Sequence, residues 1–134
     1  MTLSAQIDCW FQSGEHEEVI QAILDLPDTQ RTDKLMGDLA VAYNNSGEYN
    51  KAILVLEEMR NHYSCTASWQ YRMGYALYYS AMKTPEGSRK KIILAKACKA
   101  FLAALQLNPK EPIKQDCLEF LSWIREDLSS LESM

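Results

Sequence analysis

Nowhere does this chain approach the roughly 18–20 uninterrupted apolar residues that cross a bilayer, so neither a membrane span nor a membrane partner is expected. The opening residues Met1–Asp8 carry no basic region and no apolar run, so no signal peptide is expected. The four cysteines, Cys9, Cys65, Cys98 and Cys117, lie far apart and form no CxxC pair. Each sits among apolar neighbours in helical patterning, where a thiol acts as a small hydrophobe, and this favours a reducing, cytoplasmic location. There are only two histidines, His16 and His62, and neither belongs to a nucleophile or zinc motif. A Gly-rich phosphate loop and a GxSxG elbow are also missing, so the expectation is a non-enzyme without a cofactor. Lysine and arginine number 14 against 18 acidic residues, a net charge of -4, which argues against a nucleic-acid partner.

What the chain does have is apolar residues at helical period. The 47% apolar share suits a buried core, and the 24% charged share is too low for a disordered acidic tail. The spacing predicts seven helices, near 3–13, 15–25, 33–45, 49–62, 67–82, 89–107 and 111–130. Leu3, Ile7, Trp10 and Phe11 share one face of the first, which Gly14 stops. Val19, Ile20, Ile23 and Leu24 do the same in the second, with Glu15, Glu17 and Glu18 near its positive N-terminal end. Thr32 or Asp33 can cap the third helix, and Asn45-Ser46-Gly47 supplies turn chemistry after it. Ser64, Thr66 or Ser68 can start the fifth, and Lys83–Ser88 reads as a loop. Pro112 suits the first turn of the last helix, whose Ile113, Cys117, Phe120, Leu121, Ile124 and Leu128 form one apolar face.

One pattern occurs twice. Asp38-Leu39-Ala40-Val41-Ala42-Tyr43, Gly47-Glu48-Tyr49, Ala52 and Leu56 form the first copy. Met73-Gly74-Tyr75-Ala76-Leu77, Ala97, Phe101, Ala104 and Asn108-Pro109 form the second. Small residues at these offsets let two helices approach, and bulky ones fill the gaps. The arrangement resembles the tetratricopeptide repeat (TPR), a helix–turn–helix unit of about 34 residues. Residues 69–76, Trp-Gln-Tyr-Arg-Met-Gly-Tyr-Ala, also look like short bacterial members of that family. The resemblance implies an all-α fold: a TPR-like right-handed α-α solenoid of about seven antiparallel helices. It implies one domain over 1–134, with a degenerate helix pair at 1–32, a repeat at 33–66, a second at 67–110 and a capping helix at 111–130. Gly74 and Ala97 stand 23 residues apart, about 11 more than the family spacing, so one or both helices of that copy should be extended.

Such stacks hold other proteins on a concave face and rarely do chemistry. Carried over by resemblance, that face holds Lys34, Gly37, Val41, Asn44 and Asn45, then Ser68, Tyr71, Tyr75, Tyr78 and Tyr79, with Arg72 as a charged anchor beside them. Tyr71, Tyr75 and Tyr78 lie at i, i+4 and i+7, and Tyr71 and Tyr78 are expected to stand outermost. Tyrosine gives a large contact area with a polar handle, which suits a protein or peptide partner, including a basic one. Gly37, Val41, Tyr71 and Tyr75 occupy the places where chaperone-binding members carry a Lys/Asn carboxylate clamp, so that ligand is not expected.

Two concrete forms of a binding module are an immunity protein that neutralises a toxin and a secretion chaperone. A second class is a self-associating unit, a homodimer through apolar ends at Trp10 and Trp123. A third is an enzyme or metal protein centred on His62 and Cys65, for which no third ligand is visible. Arg89-Lys90-Lys91, with Lys83, Lys96 and Lys99, is the one basic cluster, and reads first as a solvated helix start.

Overall fold

A computed structural model describes residues 1–133; Met134 and the side chain of His62 lie outside the described residues. Those residues are all-helical, without strands, and fall into two compact units, Met1–Met59 and Arg60 onward.

The first unit holds α1 (Leu3–Gln12), α2 (His16–Leu24), a 3-10 turn (Asp28–Gln30), α3 (Asp33–Asn45) and α4 (Tyr49–Glu58). Each helix packs on the next. Ile7, Val19, Ile23, Leu39, Ala40, Ala52 and Leu56 are almost fully buried, as the apolar period requires. Thr2 and Thr32 cap α1 and α3, each hydroxyl accepting from the N–H three residues on. The α1–α2 and α3–α4 connections share one backbone solution: Ser13-Gly14-Glu15 and Ser46-Gly47-Glu48. Their glycines sit in the left-handed region at φ 73° and 82°, where a side chain would be strained. In both, the glutamate N–H returns to the carbonyl five residues back, Trp10 or Tyr43. Arg31 closes the exit of α2, its Nε donating to the carbonyls of Ile23 and Leu26 and its Nη2 to that of Leu24.

The second unit holds α5 (Arg60–Tyr63), α6 (Ala67–Met82), α7 (Ser88–Gln106) and α8 (Ile113–Glu132). Thr66 caps α6, 34 residues after the Thr32 cap. Asn108, at φ 52°, takes the left-handed C-terminal conformation that ends α7 just before Pro109. α6 and α7 approach so closely at Gly74 that a Cβ there would meet the Phe101 ring. Leu94, Ala97, Phe101 and Ala104 of α7 and Cys117, Phe120 and Ile124 of α8 build the core with Tyr78 and Ala81 of α6.

Two sequence expectations change and a third is made specific. The helix predicted over 49–62 breaks: α4 ends at Glu58 and α5 begins at Arg60, with the Met59 N–H tightening onto Leu56 in 3-10 fashion. The extension expected for one or both helices of the 67–110 segment falls on both, mostly on α7: 19 residues against 10 in α4, and 16 in α6 against 13 in α3. Pro112 is the N-cap of α8 rather than part of its first turn.

Candidate functional site

Four tyrosines, Tyr71, Tyr75, Tyr78 and Tyr79, ride on α6, and the structure brings them together around a single ring of α8. Phe120 lies 5.2 to 6.3 Å, centroid to centroid, from all four, in edge-on contacts that favour aromatic pairing. It also stacks on Phe101 of α7 at 4.7 Å and 7° between planes. Two hydroxyls fasten the arrangement: Tyr71 Oη donates to Asp116 Oδ2 at 3.2 Å, and Tyr78 Oη to Asp127 Oδ2 at 3.3 Å. The spacings match, since i, i+7 on α6 and i, i+11 on α8 both return to one helix face.

Burial, reinforced by the charges of these carboxylates, makes both phenols weaker acids. Tyr78 is pushed up to about 12 and Tyr71 beyond the ordinary tyrosine range. The Cys117 thiol, buried next to Asp116, rises to about 11 for the same reasons. Neither phenol is poised to act as a base near neutral pH.

The tyrosines expected to stand outermost are therefore engaged by α8. Tyr78 is the most buried of the four, at 8% exposure. Tyr75 and Tyr79 are half-buried, in mutual ring contact at 4.8 Å, with Arg72 half-buried along the same side of α6. Sequence reasoning missed Asp116, Phe120 and Asp127 as partners of the tyrosine stripe. The one trace in the sequence is spacing, seven residues between Tyr71 and Tyr78 and eleven between Asp116 and Asp127, which places each pair on one helix face without pairing the helices.

No protein-family model, no curated protein and no solved structure matches this chain.

The remaining candidates lie on α3, in the other unit. Lys34 is exposed and pairs with Asp38 at 3.1 Å; Val41 is half-buried and Asn45 exposed on the same face. Asn44 is buried, at 5% exposure, as is Gly37, so neither is open to a partner. The His62 half of the His62/Cys65 pair lies outside the described residues, and Cys65 is exposed. Among the described residues, no group of three or more His, Cys, Asp or Glu could hold a metal ion, and no helix is long and apolar enough to cross a membrane. Of the two tryptophans expected at apolar ends, Trp123 is 42% exposed while packing on Tyr78 and Phe120, and Trp10 is half-buried.

Proposed function

We propose that this protein is a non-catalytic interaction module of the tetratricopeptide-repeat type, holding a protein or peptide partner against the α6 tyrosine face at Tyr75, Tyr79 and Arg72. The observation that carries this reading is the docking of α8. An amphipathic helix already lies on that aromatic surface, anchored by one phenylalanine and two carboxylates, so the surface has the chemistry of a helix receptor. Tyr75 and Tyr79, half-buried beside Phe120, and the neighbouring Arg72 add to the same chemistry, with large ring area, little rotamer entropy and one cation. The repeated Ser-Gly-Glu turn and the threonine caps 34 residues apart support the repeat reading.

The test is capture of partners from the cells that make the protein, beside a Tyr75→Ala/Tyr79→Ala variant. A single partner lost in the variant supports this surface. Equal recovery with the variant overturns the tyrosine face, and the absence of any partner overturns the module reading.

A further inference from the structure

Charge is divided sharply along this chain. Residues 1–59 carry three cations against eleven carboxylates, and residues 60–134 carry eleven cations against seven. All three cations of the first group, Arg31, Lys34 and Lys51, are already in ion pairs. The positive excess of the second concentrates on α7, which holds Arg89, Lys90, Lys91, Lys96 and Lys99 and no acidic residue. None of these five takes part in an ion pair among the described residues. The cations of the first turn also face the positive end of the helix dipole, and Gly87, as N-cap, offers no side chain to offset it.

The outward side of α7 is not simply solvated. At 100° per residue, Arg89, Ile92, Lys96, Lys99 and Leu102 fall on the side opposite the buried Leu94, Ala97, Phe101 and Ala104. Ile92 is 57% exposed and Leu102 48%. Two large aliphatic residues interleaved with the cations give this face an apolar component beside its charge.

We infer that this face of α7 docks an acidic helical segment of another protein, with carboxylates meeting Arg89, Lys96 and Lys99 and apolar side chains meeting Ile92 and Leu102. It is a second surface, separate from the α6 tyrosine face. Charge complementarity selects the acid, since an acidic ligand relieves both the mutual repulsion and the opposed dipole. The 19 residues of α7 span about 28 Å, which sizes the partner helix at a similar number of residues. Extended polyanions fit less well. A bilayer or nucleic acid spreads its negative charge well beyond one helix and is repelled by a chain whose net charge is -4. A second copy could present the acidic outer face of α2 (Glu17, Glu18, Leu24, Asp25), but those 9 residues cover only half of α7.

The experiment is a fluorescence-anisotropy titration of the full chain. The probe is a labelled helical peptide of about 18 residues with glutamates flanking two leucines on one face; a scrambled peptide of the same composition is the control. Saturable binding should weaken about tenfold or more in Lys96→Glu/Lys99→Glu and on raising salt, weaken in Ile92→Ser/Leu102→Ser, and persist in Tyr75→Ala/Tyr79→Ala. All four substituted positions of α7 are exposed, and circular dichroism checks that the variants stay folded. Equal binding of the scrambled peptide, or no effect of Ile92→Ser/Leu102→Ser, would reduce the face to ion exchange and overturn the inference. So would loss of binding in the tyrosine variant, or no saturable binding at all. Tighter binding to phosphatidylserine vesicles would replace it with a membrane, and salt-sensitive self-association in sedimentation would replace it with a second copy.

Discussion

A Cβ built on Gly74 would fall 2.8 Å from Cε1 of Phe101, and the Phe101 ring has no room to retreat. That ring is fully buried and stacked on Phe120 at 4.7 Å. Gly74→Ala should therefore destabilise the protein by about 1–2 kcal/mol, because overpacking outweighs the roughly 1 kcal/mol that alanine gains over glycine in a helix. A urea-unfolding midpoint at or above wild type would show that the ring stack yields.

Burial of the Tyr78 phenol, reinforced by the charge of Asp127 and the bond to it, gives stability a signature at alkaline pH. The folded phenol ionises near 12 against an ordinary value of 10.0, so the folded chain holds its proton longer than the unfolded one. This contribution is complete below pH 10 and is lost as pH rises towards 12. Tyr78→Phe should lower stability by about 1 kcal/mol at neutral pH and flatten that alkaline loss, both read from denaturant midpoints across the pH range. An unchanged alkaline slope would remove Tyr78 as its source.

Arg31 and Asp28 form a 2.8 Å ion pair, yet the two sides of it should behave differently. Asp28 is 91% exposed, so Asp28→Ala should cost little, under about 1 kcal/mol. Arg31→Met would leave the carbonyls of Ile23, Leu24 and Leu26 without their guanidinium donor, at a cost of about 1–3 kcal/mol. Thermal unfolding of the two single variants gives the ranking, and equal effects would place the energy in the ion pair instead.

Thiol labelling should proceed in an order set by burial. Cys9 and Cys65 are exposed and should react first, Cys98 more slowly, and Cys117 only with unfolding. The Cys117 thiol is both fully buried and held near 11, so little thiolate is presented to reagent at pH 8. Fast modification of four thiols in the folded protein would contradict the packing of α8.

Helices bounded by local chemistry could be read from the sequence. α3 and α6 lie where the sequence predicts them, at 33–45 and 67–82, because Thr32 and Thr66 cap them and turn or loop residues follow. The break after Glu58 has no such mark: neither glycine nor proline stands there, and the interruption is a single tightened turn at Met59. The candidate site divides the same way. The tyrosine stripe is a periodicity within one helix, and it was legible. Its engagement by Asp116, Phe120 and Asp127 depends on a contact some 45 residues along the chain, which no local pattern encodes.

The ring cluster also has an optical consequence. Tyr78 sits 6.1 Å from Trp123, and Tyr75 and Tyr79 adjoin it through Phe120, so light absorbed by these phenols is handed to an indole before it can be emitted. Excitation of these three phenols should accordingly appear as tryptophan emission. A rise in tyrosine emission that is lost in Tyr75→Phe/Tyr78→Phe/Tyr79→Phe would mean that α8 has left its seat, which makes the native chain its own label-free gauge of whether that helix is on or off.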